Sequence, residues 1–242
     1  MWARTATTAG RAVAVSCSAG AAQPQIRLRV VHPPVRTVPA ATVSRLPVYF
    51  RVLDRIAESR STISSDLLAE LAGTTAAIVR KDLSYLGSMG TRGAGYEVLG
   101  LRDRISAVLG ANRAWPVAIV GMGNLGRALA SYPGLAGPSF EVAALFDVDP
   151  AKVGRPVAGV IVRHLDELDE ISRNVKLSIG VITTPAVAAE EVAGRLVEAG
   201  IHSILNFAPV RLGVSDGVLV RDVDLGLHLL VLSYNERSRL EG

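Results

Sequence analysis

The chain is 242 residues long, 49% apolar, with a formal net charge of +4 at pH 7, a length that suits two domains each able to bury a core. A single cysteine, Cys17, excludes an intrachain disulfide framework and CxxC metal sites, and His32, His164, His202 and His228 stand without ligand spacing. No apolar run reaches the roughly eighteen residues of a membrane span, so composition predicts a soluble, cytoplasmic protein with no metal and no membrane partner.

Residues 1–43 read as an N-terminal extension. From Met1 to Leu53 there are seven arginines and no acid, and Asp54 is the first carboxylate. The stretch reads as a disordered extension or as sequence upstream of the true start. A transit peptide and a basic arm for nucleic acid are the alternatives. Pro33, Pro34 and Pro39 oppose a helix here, which puts the start of the fold near Ser44.

Residues 44–112 read as a small helical domain. Ser44 is a cap for a first helix with Pro47 in its opening turn, followed by Leu46, Tyr49, Phe50, Leu53 and Ile56 at helical spacing. Ser65 caps a second short helix that stops at Gly73, and Thr75 caps a third that stops at Gly87. A glycine-rich hairpin, "GSMGTRGAGYEV", and a helix from about Leu99 to Leu109 complete the order of a winged helix-turn-helix. On the third helix Val79, Leu83 and Leu86 form the buried stripe, with Ala77, Arg80, Lys81 and Ser84 opposite. Small residues beside two cations suit a major groove, where Lys81 or Arg80 can donate to guanine O6 and N7. Arg92, flanked by glycines at the hairpin tip, is shaped for a minor groove, and Gly93 and Tyr96 belong to the same hairpin. From Ser44 to Asn112 nine Lys/Arg face seven Asp/Glu, so the argument for DNA rests on placement, not bulk charge.

Residues 113–221 switch to strand–helix alternation, the pattern of a parallel sheet covered on both faces. Directly after the strand Val117 to Val120, Gly121-Met122-Gly123-Asn124-Leu125-Gly126 fits G-x-G-x-x-G. Gly121 allows the turn, Gly123 lets the backbone approach a pyrophosphate, and Gly126 lets the helix pack on the strand. Asp147 ends the next strand, 21 residues after Gly126, where a carboxylate accepts from the adenosine ribose hydroxyls and repels a 2′-phosphate. The ligand class expected is therefore NAD+ and NADH. At the nicotinamide end, Thr184, Pro185 and Phe207 close later strands, and Tyr132 lies past the first helix. An apolar wall there distinguishes the cationic oxidised ring from the neutral reduced one, because the charge is costly to desolvate.

Residues 222–242 read as a helix capped by Asp222 or Asp224. Leu225, Leu227, Leu229, Leu230, Val231, Leu232 and Tyr234 surround it on most sides, so it must be buried, in its own domain or in a dimer.

Taken in order, "SRLPVYFRVL", "VRKDLSYLG", "GTRGAGYEV", "VGMGNLGRAL", "SYPG", "FDVDPAKVG", "LNFAPV" and "VDL" closely resemble the Rex family of bacterial redox-sensing transcriptional repressors, over about Ser44 to Tyr234. The resemblance implies an α/β protein: an N-terminal winged helix-turn-helix, a Rossmann-type NAD(H) domain and a C-terminal dimerisation helix exchanged between subunits. It implies a homodimer that binds inverted-repeat operator DNA when NAD+ is plentiful and is released by NADH. It implies that Lys81 reads the major groove, Arg92 and Gly93 enter the minor groove, and Gly121 to Gly126 hold the pyrophosphate. It places Tyr132 near the nicotinamide and makes Arg51, Tyr132 and Asp224 a polar switch across domains and subunits. Leu86, where an aromatic is common, and the N-terminal extension depart from the family pattern. The competing reading is an NAD-dependent oxidoreductase with an accessory DNA-binding-like domain. It lacks a separate substrate domain, and its possible proton carriers, His202 and His228, sit in apolar contexts.

Overall fold

The computed structural model describes residues 38–87, 90–91, 95–135 and 137–240. The first helix, α1, spans Ala40–Ile56, one turn earlier than Ser44 suggests. Pro39 is its N-cap, and the Thr42 and Val43 N–H groups both donate to the Pro39 carbonyl. Ser44 is interior, its hydroxyl donating to the Ala41 carbonyl, and Pro47 is interior too. A proline there removes an intrahelical bond, a loss offset by the burial of Leu46, Tyr49, Val52 and Leu53.

Strand β1 (Thr62–Ile63) leads into α2 (Ser65–Ala72) and α3 (Ala76–Ser84). Ser64, not Ser65, caps α2, accepting from the Leu67 N–H, because the cap lies one residue outside the first helical turn. Thr75 caps α3 as expected, accepting from the Ile78 N–H. Strands β2 (Gly90–Thr91) and β3 (Gly95–Glu97) form an antiparallel hairpin, with β1 on the other side of β3. Helix α4 (Val98–Leu109) follows, its first turn capped by the Glu97 carboxylate. Leu46, Tyr49 and Leu53 of α1 share one core with Leu68, Val79, Leu83, Leu101 and Ile105. The stripe of Val79, Leu83 and Leu86 is at most 2% exposed. These elements make a helix-turn-helix with a wing.

The second half contains β4 (Trp115–Val120), α5 (Asn124–Ala130), β5 (Phe140–Asp147), β6 (Pro156–Val157), β7 (Val160–His164), α6 (Leu168–Val175), β8 (Ile179–Ile182), α7 (Ala186–Glu198), β9 (Ser203–Asn206) and β10 (Leu219–Asp222). The sheet order is β10-β9-β8-β4-β5-β7-β6, all parallel except the hairpin β6–β7. Successive strands step one way from β4 and then the other, so a crevice opens at the strand ends between β4 and β8. Strand alternation divides the core. Ala118, Val120, Phe146 and Ile182 face Leu168, Val192 and Leu196 on one side, while Val117, Ile119, Leu145 and Val181 face Met122 and Ala130 on the other.

Helix α8 (Leu225–Leu240) closes the described chain. Its cap is Asp224, whose Oδ1 accepts from the Gly226 and Leu227 N–H groups. Asp222 belongs to β10 instead, its carboxylate accepting from Asn206 Nδ2. Of the two covers considered for α8, its own domain does not provide one: Leu225, Leu229, Leu230 and Val231 are 63–66% exposed. Among the described residues no helix is long and apolar enough to cross a membrane, and no group of three His, Cys, Asp or Glu could hold a metal ion.

Candidate functional site

The glycine turn sits at the switch point. Strand β4 ends at Val120, Gly121 takes the left-handed region at φ 100°, and Gly123 becomes the N-cap of α5. A Cβ on Gly121 would lie 2.9 Å from the Thr183 carbonyl, and one on Gly126 would run into the Gly121 oxygen. These two glycines are therefore demanded by the fold itself. Gly123 differs: a Cβ there would meet no atom within 4 Å, because it faces the cavity. No side chain caps α5, so helix geometry leaves the N–H groups at its start free for an anion.

A cavity of about 580 Å³ opens beneath this turn, within the range that holds small ligands. Gly121, Gly123, Leu125, Asp147, Thr184, Pro185 and Phe207 all line it, as their motifs suggest. Thr184 Oγ1 is buried with no hydrogen-bond partner in the protein, an uncommon state for a buried polar atom. The apolar share of the wall comes from Leu165, Ala188, Val192 and Phe207. An open backbone approach, free helical N–H groups, an orphaned hydroxyl and an apolar end together fit a dinucleotide.

Other expected residues lie elsewhere. Met122 is buried in the core at 2% exposure, its N–H committed to Asp147 Oδ2 at 2.6 Å. Asn124 and Gly126 belong to the first turn of α5 and do not line the cavity. Tyr132, in the turn after α5, is 52% exposed and is not among the lining residues. Arg51 and Asp224 are also exposed, and Asp224 is bonded to the first turn of α8 rather than to either of the other two.

Asp147 does more than its sequence position suggests. Its Oδ2 accepts from the Met122 N–H and, at 3.0 Å, from the Lys152 ammonium, while Oδ1 accepts from the Asp149 N–H. Burial opposes its ionisation, but the Asp149 N–H, Lys152 and the Met122 N–H outweigh it and hold the carboxyl below its ordinary value of 3.8. Because the folded pKa is depressed, the stabilisation is complete above that ordinary value and is lost as pH falls below it. We expect Asp147→Asn to be destabilised at neutral pH by about 1–3 kcal/mol, since one acceptor oxygen becomes an NH2 group and either the Met122 or the Asp149 N–H loses its partner. The gap to the native chain should narrow as the pH falls below 3.8 and the carboxylate takes up its proton. Urea unfolding across pH checks this, and a gap that persists in acid would count against it. Lys152 and Asp149 escaped the sequence reading. The signal for both was "DVDPAK", an acid at the strand end followed by a lysine one helical turn after the second acid.

On the other domain, Ala77, Arg80, Lys81 and Ser84 share the exposed face of α3. Arg80 Nη1 donates to Ser65 Oγ at 2.8 Å, tying it to the start of α2, and the Ser84 hydroxyl donates to the Lys81 carbonyl. Tyr96 is half-buried in β3, packed against the helical core. Arg92 and Gly93 lie outside the described residues. Sequence reading missed Asp82, which is only 1% exposed and anchored to α1.

Residues 112–210 match the family described as "CoA binding domain", and residues 37–84 the one described as "Putative DNA-binding protein N-terminus". The redox-sensing transcriptional repressor Rex of Streptomyces griseus is 55% identical over 205 residues, 84% of this chain and 81% of that one. Its counterpart in Thermus aquaticus is 50% identical over 198 residues, 81% of this chain and 93% of that one. Two crystal structures of RSP, a Rex-family repressor, also align. The complex with NAD+ and operator DNA has a TM-score of 0.78 at 34% identity, covering 84% of this chain and 95% of that one. The NADH complex has a TM-score of 0.75 at 33% identity, covering 85% and 98%. With a winged helix joined to a switch-point dinucleotide cavity and identity of this level over most of its length, the chain belongs to the Rex family of redox-sensing transcriptional repressors.

Proposed function

We propose that this chain represses transcription by binding an inverted-repeat operator as a homodimer and lets go of it on binding NADH, thereby reading the NADH/NAD+ ratio. The observation that carries this is the union in one chain of the exposed Arg80 and Lys81 face with a cavity kept open at Gly123. The bound dinucleotide supplies a redox-dependent charge, cationic when oxidised and neutral when reduced. Pro185 and Phe207, which follow β8 and β9 at the nicotinamide end, favour the neutral form because they offer the cation no solvation. Thr184 Oγ1 supplies a hydrogen-bond partner, and the start of α5 faces the pyrophosphate. Asp147 serves the adenosine ribose with its one remaining acceptor site, on Oδ1, and keeps a 2′-phosphate away.

On the DNA side, Lys81 reads bases, Arg80 and Ser84 flank it, and Arg92, Gly93 and Tyr96 of the wing serve the minor groove. Arg51, Tyr132 and Asp224 form a polar switch across the two subunits. The second subunit is the natural cover for α8, whose apolar side chains are exposed in the single chain. A protein working on operator DNA acts in the cytoplasm of a bacterium.

The test is anisotropy of a labelled inverted-repeat DNA, titrated with NADH at fixed excess NAD+. NADH should weaken operator binding roughly 5–150-fold, the usual range of coupling between two sites, with no NADH consumed. Indifference to NADH, or turnover with a small carbonyl compound, would overturn the reading in favour of an oxidoreductase.

A further inference from the structure

One carboxylate joins the recognition helix to α1. Asp82 is buried in α3, directly after Lys81, and all its donors come from α1. Oδ1 accepts from Thr42 Oγ1 and from Arg45 Nη2, each at 2.7 Å. Oδ2 accepts from Arg45 Nε at 2.6 Å and from Tyr49 OH at 2.9 Å. Four bonds match the capacity of an ionised carboxylate, and the arginine engages it bidentately. Thr42, Arg45 and Tyr49 fall on one stripe of α1, spread over about 10 Å of helix. Thr42 and Tyr49 are 2% and 1% exposed.

Apart from the exposed Arg80–Ser65 bond, the remaining contacts of α3 with the core are apolar, from Ala76, Val79 and Leu83, with Leu86 just beyond its end. Such apolar packing is non-directional and tolerates small rotations of a nine-residue helix. A carboxylate held by donors from two turns of its neighbour does not. Lys81 and Asp82 are successive residues, about 100° apart around the helix, so fixing the direction of Asp82 fixes that of Lys81.

We propose that the Thr42–Arg45–Tyr49 grip on Asp82 is a positioning device for DNA recognition: it sets the rotation of α3 about its axis and so aims Lys81 at its base. The inference rests on the reading of Lys81 as a base-contacting residue. It gives Asp82, which touches no DNA, a role in sequence preference rather than in stability alone.

The test measures anisotropy with a series of single base substitutions in the operator, using the full chain. Lys81→Ala should flatten preference at one position of each half-site by roughly 5–150-fold, the worth of one bidentate contact. Asp82→Asn should flatten the same position, and combining it with Lys81→Ala should add little further loss there. Tyr49→Phe, which removes one donor and keeps the ring, should give a smaller loss at that position. NADH binding, followed by cofactor fluorescence, should stay native in all of them. A fall in affinity equal for every base, or full additivity with Lys81→Ala, would make Asp82 a fold anchor only and overturn the proposal. If Asp82→Asn fails to fold, Tyr49→Phe decides: an unchanged preference series overturns it. If Lys81→Ala keeps native preference while Asp82→Asn alters it, the reading of Lys81 fails and the proposal with it. If only Lys81→Ala alters it, that reading stands and the positioning role falls.

Discussion

Gly123→Val is expected to abolish the NADH response of operator binding while leaving operator affinity itself unchanged. The variant isolates the ligand because the protein has room for the new side chain: a Cβ on Gly123 meets nothing within 4 Å. The fold should therefore survive, with native circular dichroism and unfolding. The space it fills is the mouth of the cavity, at the N-cap of α5. There a branched side chain stands between the free helical N–H groups and a pyrophosphate. Even with some yielding of the loop, such crowding costs about 1–3 kcal/mol, so the NADH-dependent loss of operator affinity should disappear at concentrations that release the native chain. Gly126→Val is the contrasting control. Its Cβ would run into the Gly121 carbonyl oxygen, so that variant should lose the fold of the turn, and with it stability. Release of the operator from Gly123→Val at native NADH concentrations would move the dinucleotide away from the glycine turn.

A chain ended after Asp224, lacking α8, is expected to be monomeric and to bind the full inverted repeat about 10²–10⁴-fold more weakly than the native chain. The magnitude follows from the loss of the second, intramolecular binding event that a dimer enjoys on two half-sites. The physical basis is α8 itself. Leu225 to Leu232 includes five leucines and a valine that are 58–66% exposed in the single chain. A monomer rarely leaves so much contiguous apolar surface in water. The half-buried Ile179, Leu205 and Phe207 lie on the sheet face whose core is completed by α5 residues, a surface with apolar area to spare for a partner. Sedimentation would report the mass, and anisotropy on a full site against a half-site would report the avidity. NADH fluorescence would show that the dinucleotide cavity persists. A truncated chain that stays dimeric and keeps full operator affinity would remove α8 from the assembly.

Both halves of the fold were legible because their signals are local. Thr75 caps α3 and Gly73 ends α2 through bonds within a few residues, and the strand, glycine turn and helix of the dinucleotide site are contiguous. Asp147 could be found by counting from Gly126, since strand and helix lengths in such units are narrowly limited. The helix starts were misplaced by one and five residues, because Ser65 and Ser44 look like caps while Ser64 and Pro39 hold those positions. Strands β6, β7 and β10 were not foreseen. β6 and β10 stand at the two edges of the sheet and β7 pairs with β6, and pairing with a neighbour, not their own composition, makes them strands.

The sequence by itself determined the two-domain order, the glycine turn with its acid, and the exposed cationic face of α3, since each depends on spacing within one element or between adjacent ones. Only the tertiary structure decided where Asp82, Tyr132 and α8 stand. In "RKDL" Asp82 reads as one more solvated charge, yet its donors lie 33–40 residues upstream and bury it. Tyr132 follows α5 closely in sequence, but a short 3-10 turn from Pro133 to Leu135 comes directly after it and its ring stays exposed. The apolar pattern of α8 demands a cover without naming one, because hydrophobic burial is non-directional, and the fold shows that the chain's own core leaves these side chains exposed.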